Sequence, residues 1–587
     1  MSRFRFSPRP NRAHEITWRE WSDAAFAEAR ERDVPVLLAI SAVWCHWCHV
    51  MDETSYSTED IIAIINDQFV PIRVDNDERP DVNRRYNMGG WPSTAFLTPE
   101  GEIVHGGTYI LPEEMFRTLL AVSDLWRTKR DDIKRRVAEA NAQEEAARAP
   151  KPGELSQEIV DMVGAHIRGQ YDREQGGFGR EPKFPQTQVL RFLLDEYRRH
   201  EAPELATMLR TTLDAMSSRG MYDHVEGGFF RYATLRDWTI PHYEKMLEDN
   251  ASLLGVYAEA HATFPDAGYD RVVRDVIRWM DAVLFQPETG LWSGSQDADE
   301  HYFTLDDKER AAHDAPFVDR TLYTSWNVLA AGAYLRAGEV LKDRAIGLRG
   351  WDAVSAIDRR MRDASGALCR FDAGDGPQLP DLLGDAASFL SLLVGISDLS
   401  RATALATRMR ERLEDTERGG FYDTPAGDKT GRLARRERPI EENATAAGAL
   451  VRLAVKSGDE AWRETALRAL RSFVGEYRGW GQFAASYANA VARALREPVS
   501  VVVVGRMGDA KAEALWRAAR SSADPDVIAL HLDPGVAADA IAERGFPIDR
   551  TAAYVCVGTV CSAPLADEGS LRRELETARE RLASSPA

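Results

Sequence analysis

The chain has 587 residues, too long for one ordinary hydrophobic core, so two to four domains are expected. Apolar residues make up 44% and charged residues 28%, the composition of a globular protein that needs no disulfide staples. A formal charge of −19 repels phosphate backbones, and the strongest basic run, Arg435-Arg436-Glu437-Arg438, is short and interrupted, so no nucleic-acid partner is expected.

Met1-Ser2-Arg3-Phe4-Arg5-Phe6 lacks the long apolar run of a secretory signal, and no stretch approaches a membrane span, so a cytoplasmic protein without a membrane partner is expected. Residues 15–30 predict an amphipathic helix, Val34 to Ile40 a strand, and Ile61 to Ile65 lie in a second helical pattern. Phe69 to Val74, Thr94 to Thr98 and Glu102 to Gly106 predict strands, and Pro112 to about Ala147 a long charged helix. This order predicts a compact α/β domain over 1–146. Ala147 to Gly153 holds two prolines and no periodicity, marking a linker at 147–154.

From 155 to 496 the chain reads as almost all helix, with a loose repeat. Gly177-Phe178, Gly228-Phe229, Gly290-Leu291-Trp292, Gly366-Ala367-Leu368, Gly420-Phe421 and Gly481-Gln482-Phe483 recur at 51 to 76 residues, the fourth and sixth copies being weak. Two helices per repeat predict a closed six-hairpin (α/α)6 toroid, with a linear solenoid as runner-up. Residues 497–587 return to α/β character: Val499 to Gly505, Val527 to Leu532 and Ala552 to Val557 predict the strands of a small lobe.

Five cysteines include two close pairs, which in a reducing cytosol point to redox or metal chemistry. Cys45-His46-Trp47-Cys48 falls between a predicted strand and a helix, the setting of a thioredoxin-type dithiol. There the helix dipole and free amides favour the Cys45 thiolate, Cys48 resolves a mixed disulfide, and His46 adds positive charge, making the pair more oxidising than one with Gly-Pro between the cysteines. Three alternatives stay open: c-type haem attachment through Cys45 to His49, zinc ligation by the same crowded residues, and a structural dithiol. Gly89-Gly90-Trp91-Pro92 supports the redox reading, because a cis-proline faces the dithiol in thioredoxin folds and Pro92 lies 47 residues after Cys45. The buried acid of thioredoxins, six residues before the first cysteine, is replaced by Ala39, leaving His46 or His49 to accept the proton. Cys556 and Cys561 read mainly as thiols packing the small lobe, with a second dithiol as the alternative, and Cys369 as inert.

These motifs resemble the YyaL-like, spermatogenesis-associated protein 20 family, in which a thioredoxin-like domain is joined to a six-hairpin barrel. The resemblance rests on Cys45 to Met51, Val74-Asp75 with Glu78 to Asp81, Gly90-Trp91-Pro92, Gly177-Phe178-Gly179 with Pro182 to Pro185, and Gly227-Gly228-Phe229. It continues through Arg231-Tyr232, Trp238, Pro241 to Leu247, Asp297-Ala298-Asp299, Ser325-Trp326-Asn327 and Ala553 to Cys556. Glu300-His301-Tyr302-Phe303 and Ile440-Glu441-Glu442-Asn443 depart from it, both read as barrel loops.

Polar groups beside the repeated turns suggest a second site at the barrel mouth: Asp223, His224, Arg231, His242, Glu244, Asp297, Asp299, Trp326 and Asn327. His242, after Pro241 at an expected helix start, is the candidate base and His224 its acid or base partner. Trp238, Trp292 and Trp326 are candidate sugar-stacking faces. By analogy of fold, six-hairpin barrels are shared with sugar 2-epimerases, unsaturated glycoside hydrolases and other carbohydrate-active enzymes. The expected whole is a multidomain α/β plus all-α protein coupling a thiol–disulfide oxidoreductase to a carbohydrate or small-metabolite site. Its expected partner is a protein or small thiol, with no cofactor or metal. A sugar epimerase or hydrolase with a redox-sensing domain and a non-catalytic binding scaffold are the alternatives.

Overall fold

The computed structural model describes residues 4–147, 151–428, 430–522 and 524–584. Residues 148–150 of the expected linker and Met1 to Arg3 lie outside the described residues.

The N-terminal domain runs α1 (Asp23–Arg32), β1 (Val36–Ser41), α2 (His46–Glu53), α3 (Glu59–Gln68), β2 (Val70–Asp75), α4 (Pro80–Tyr86), β3 (Ser93–Leu97), β4 (Ile103–Gly107) and α5 (Pro112–Ala147). Its sheet has the order β2-β1-β3-β4, with β1 and β2 parallel and the other pairs antiparallel. Every residue of β3, and all of β1 and β2 but the last of each, is buried, as their continuous apolar runs require. The helix expected at 15–30 is shorter. Ala13–Glu15 forms one 3-10 turn, Arg19 runs beside Ile72, and the helix begins only after Ser22, whose side chain accepts from the Ala25 amide. Packing Trp18 edge-on to Tyr56 at 5.3 Å draws this stretch out of the helix.

The helices that follow are α6 (Gln157–Gln170), α7 (Thr187–His200), α8 (Pro203–Ser218), α9 (Leu247–Thr263), α10 (Tyr269–Trp279), the short α11 (Glu300–Thr304) and α12 (Asp307–Arg310), and α13 (Thr324–Val340). Then come α14 (Arg344–Arg360), α15 (Leu383–Gly395), α16 (Leu399–Leu413), α17 (Ile440–Ser457), α18 (Ala461–Arg471) and α19 (Ala485–Leu495). In order, α7, α9, α13, α15, α17 and α19 each pack on the next, and α19 returns to α7, so the inner ring closes. The remaining long helices form an outer layer, α8 on α7, α10 on α9, α14 on α13, α16 on α15, α18 on α17 and α6 on α19. This is an (α/α)6 toroid rather than an open solenoid.

All six inner helices begin at one end, where the repeated glycine turns also lie. Gly177, Gly228, Gly290, Gly366, Gly420 and Gly481 all take positive φ. The turn backbone is clamped by an asparagine four residues into the next inner helix. Asn250 accepts from the Phe229 amide at 2.7 Å and donates to its carbonyl at 2.9 Å; Asn327 does the same for Trp292 and Asn443 for Phe421. A Cβ at Gly228 would lie 2.9 Å from the Trp279 ring, so the close approach also requires glycine there.

The last lobe has the strand order Ile528–Leu532, Val499–Val504, Ala552–Val557, Val560–Cys561. Cys556 and Cys561 face each other across its hairpin and are disulfide-bonded, Cys556 buried and Cys561 exposed, which corrects the expectation of two buried free thiols. Cys369 is a buried free thiol, pushed up to about 11 by burial. No helix among the described residues is long and apolar enough to cross a membrane.

Candidate functional site

Cys45 is the N-cap of α2, and the Cys48 amide donates to its sulfur at 3.2 Å. A reduced Cys45 would meet the positive helix end there, which favours thiolate over thiol. In this structure the two cysteines are bonded to each other. The Trp91–Pro92 peptide is cis, and Trp91 packs edge-on against Trp44 with ring centroids 5.8 Å apart, so the proline-led loop meets the dithiol end of α2.

The sulfurs are not open to solvent: Cys45 is 4% and Cys48 3% exposed, whereas exchange with a partner thiol needs an accessible sulfur. Their cover is the barrel. The Arg231 guanidinium lies 3.9 Å over the Trp44 ring and 5.3 Å from the Trp91 ring. Trp44 donates in turn to Asp77 at 2.7 Å. Half-buried His46 and the 48% exposed Trp47 remain at the rim. Burial, then the Arg5 and Arg73 charges, push His49 down to about 4, so it stays neutral and is a weak base. Ala39 is buried in β1, and the buried Asp52 is held by Arg73 at 2.8 and 3.0 Å.

The other residues suggested by the sequence are spread over several tasks. Asp223 is buried between Lys245 at 2.5 Å and Arg310 at 2.8 Å. His224 is exposed, with Nε2 3.2 Å from the Arg219 carbonyl. His242 lies in a two-residue strand paired with Tyr232 and Ala233, not at a helix start, and stacks on Tyr232 at 4.4 Å. His242 therefore does not sit at a helix N-terminus, and no dipole there sets its basicity. Its Nδ1 is 3.7 Å from buried Glu244. Trp238 is core, its indole donating to Gln175, and Trp292 is likewise fully buried. Asp299 caps α11, and Asp297 faces Arg5 at 3.4 Å with its carboxyl pushed up to about 7 by burial. Asn327 is a backbone clamp, and Trp326 alone of this set lines the barrel interior.

That interior is a cavity of about 1030 Å³ reached by all six inner helices. Asp77, Pro80, Asp81 and Arg84 of the N-terminal domain form its roof, and Ser522, Asp524 and Pro525 of the last lobe its floor. Small residues such as Ser252, Gly255, Gly332, Gly384 and Gly448 leave the space. Charge is segregated along it. Glu248, Asp385, Glu441 and Glu442 occupy first turns of α9, α15 and α17 near the roof. Arg336, Arg452, Lys456, Arg493 and Arg520 lie deeper. Arg370 ties the roof together, donating to the Asp77 carbonyl at 2.9 Å, Ser325 at 2.6 Å and Asp385 at 3.2 Å. Enclosure, then Asp249, pushes the Glu248 carboxyl up to about 8. No histidine lines the cavity among the described residues.

The sequence reading passed over these charges. Their signal was four-residue spacing on helices otherwise rich in small apolar residues, as in Arg191/Asp195, Arg452/Lys456 and Asn489/Arg493. Glu441 and Glu442, read as loop residues, lie in the first turn of α17.

Residues 9–144 match the family Thioredox_DsbH, described as "Protein of unknown function, DUF255". The chain is 34% identical over 305 residues to the "Uncharacterized protein B0495.5" of Caenorhabditis elegans, covering 48% of this chain and 41% of that one. It is 34% identical over 307 residues to human "Spermatogenesis-associated protein 20", covering 48% and 39%. The matched region thus spans about two fifths of the curated relatives' length. Among solved structures, a D-mannose isomerase is similar at TM-score 0.48 and 11% identity, covering 59% of this chain and 99% of that one. The cellobiose 2-epimerase of Spirochaeta thermophila is similar at TM-score 0.48 and 14% identity, covering 58% and 94%. Residues 9–144 thus match a thioredoxin-like domain of the DsbH type, and over roughly half its length the chain is similar to the spermatogenesis-associated protein 20 proteins.

Proposed function

We propose that this chain is a thiol–disulfide exchange protein whose dithiol is gated by its own barrel, and that the barrel interior holds a small polar ligand. The reading rests on Arg231 covering Trp44 and Trp91 beside a helix-capping Cys45. A partner thiolate attacks Cys45, forming a mixed disulfide and releasing the Cys48 sulfur. A second partner thiolate then attacks the partner sulfur of that bond and releases Cys45. Two electrons pass to the pair, the partner leaves as a disulfide, and the protons of its two thiols end on Cys45 and Cys48. Entry to a sulfur that is 4% exposed requires the barrel face packed on Trp44 and the dithiol to draw back, which favours a small thiol or an extended peptide. A cytoplasmic setting would supply such thiols.

The test is insulin reduction with dithiothreitol, paired with trapping by Cys48→Ser. Exchange should vanish in Cys45→Ser, and Cys45 of Cys48→Ser should attack a disulfide partner, release one of its sulfurs as a thiol and retain the other as a mixed disulfide. Undiminished exchange by Cys45→Ser, or no captured partner with Cys48→Ser, would refute the reading.

A second reading, sugar chemistry in the cavity, is favoured by Glu248. A carboxyl still protonated near neutral pH, beside Arg370 and Asp77, is suited to donate a proton to a leaving oxygen. Here Glu248→Gln should abolish turnover of a sugar library that Cys45→Ser leaves intact. Equal turnover by Glu248→Gln would dismiss it.

A further inference from the structure

The deeper half of the barrel cavity carries more positive charge than its carboxylates balance. Asp195, one turn after Arg191 on α7, is the shared counter-charge of three guanidinium groups. Arg493 lies 3.9 Å from it and 3.4 Å from Asp526, its field also reaches Arg452, and on Arg191 it comes second to Glu259, which Arg198 and Arg336 already hold. Asn489 donates to the same carboxylate at 2.6 Å, occupying part of its remaining capacity.

Among the described residues the hydrogen-bond partners of Arg452 and of nearby Lys456 are neutral. Arg452 donates only to the Ser391 hydroxyl at 2.8 Å and the Gly448 carbonyl at 3.3 Å. Lys456, one turn on, donates to the Val394 carbonyl at 2.7 Å and the Ser397 hydroxyl at 2.9 Å. Among the described residues no hydrogen bond or ion pair within 4.0 Å reaches the Arg191 guanidinium. It projects into space kept clear by Gly255, where an added Cβ would lie 2.8 Å from its Nη2. An enclosed cation without a counter-ion is costly, and burial accordingly lowers the pKa of Arg191, Arg452 and Lys456.

Helix dipoles account for some of this charge but not all of it. Lys456 and Arg493 lie in the last turns of α17 and α19, where a cation is favoured. Arg191 is the fifth residue of α7, too far from its C-terminal end for the dipole to favour a cation.

We propose that this part of the cavity binds the dianionic phosphate of a phosphomonoester, held by Arg191, Arg452 and Arg493 around Asp195. Glu259 is already engaged by Arg198 and Arg336 and Asp526 by Arg199, so the three guanidinium groups exceed the carboxylate charge left to them, and that excess suits the dianion of a phosphomonoester near neutral pH. The remainder of the ligand would extend toward Glu248, Asp385 and Glu441, carboxyl groups that accept hydrogen bonds from hydroxyls, so a sugar phosphate fits both halves. This rests on the reading that the cavity holds a small polar ligand and adds its chemical class.

The test is calorimetry and thermal shift on the full chain with glucose 6-phosphate, inorganic phosphate, glucuronate and glucose at low salt. Glucose 6-phosphate should bind at least tenfold more tightly than glucose or glucuronate, and inorganic phosphate should compete with it. Arg191→Met and Arg452→Met should each lower that affinity at least tenfold while leaving the unliganded melting temperature unchanged or raised, because each removes an uncompensated cation. The conservative Arg452→Lys should keep part of the affinity. Binding of glucose as tightly as its phosphate would overturn the anion assignment and leave the cavity-ligand reading standing. Absence of binding by all four probes at 10 mM would overturn the assignment and count against the cavity-ligand reading, with the dithiol reading untouched. Unchanged affinity in both methionine variants would place the phosphate elsewhere and also overturn it.

Discussion

The two ends of the barrel are closed by different domains, and their charges obey different logics. At the roof, Arg85 of α4 is held by Asp423 at 2.7 and 3.1 Å and by the Arg432 and Arg435 carbonyls, while Arg84 pairs with Glu442. Acidic first turns of α9, α15 and α17 there complement the positive ends of those inner helices. At the floor, Arg199 makes a two-pronged contact with Asp526 of the last lobe at 2.8 and 2.9 Å, and Arg520 reaches Glu339 at 2.5 Å. Beyond those pairs, Arg191, Arg452 and Lys456 have no carboxylate within ion-pair distance among the described residues. Charge that answers a helix dipole or a facing residue is explained by the fold, and charge in excess of both points to a ligand.

Four variants would break or sharpen this contrast. The largest effect belongs to Arg85→Ala, which leaves Asp423 buried without its main partner. Losing one member of a buried pair typically costs about 3–5 kcal/mol. It should lower the melting temperature and, by loosening the roof, speed reduction of Cys45–Cys48 by dithiothreitol roughly tenfold or more. A dithiol that stays equally slow would separate roof from gate.

Next is Asn443→Ala, which strands the Phe421 amide and carbonyl. Each buried group left unpaired costs about 1–3 kcal/mol. Urea unfolding should show that loss without a change in dithiol reduction rate, since the clamp serves the ring rather than the gate.

Lys456→Met gives a pH signature confined to the floor. Burial, then Arg452 and Arg520, lower Lys456 from 10.5 to about 7. Between those values the unfolded chain binds more protons than the folded one, so stability rises as pH goes from about 7 toward 10.5. The rise from this group is at most about 1.4 kcal/mol per pH unit. Melting temperatures at pH 7 and 9 should differ less in Lys456→Met than in the unaltered chain; an unchanged slope would mean the lysine is solvated.

The smallest effect is expected from Arg231→Ala. A cation over an indole face contributes about 0.5–2 kcal/mol. Its removal should raise the dithiol reduction rate a few-fold with little change in melting temperature. Equal rates would show that Trp44 and Trp91 cover the sulfurs without help from the barrel.

Much of the architecture was legible because its signals are local. A Cys-x-x-Cys between a strand and a helix puts Cys45 at the N-cap whatever the rest of the chain does. Trp91-Pro92 opening a strand and six glycine turns separating helical stretches are equally short-range patterns. The N-terminal helix was misjudged because Trp18 and Arg19 satisfy the helical pattern yet gain more by packing on Tyr56 and β2. The residues expected at the barrel mouth are spread over several structural tasks for a related reason. Asp223, Asn327 and Asp299 are polar beside turns because turns need buried acceptors and clamps, a demand that looks identical to a catalytic one in sequence.

Residue order and side-chain chemistry were enough to define the dithiol, the repeat and the helices. They could not define the inside of the ring. Arg191, Glu248, Arg370 and Arg452 lie on separate elements, and a charged residue on such a helix faces the cavity, a neighbour or solvent according to how ring closure rotates that helix. The same holds for the sulfurs: the N-cap comes from a few adjacent residues, whereas their burial comes with Trp44, Cys45 and Cys48 joining the hydrophobic core of the barrel, where Arg231, almost two hundred positions away, lies over Trp44.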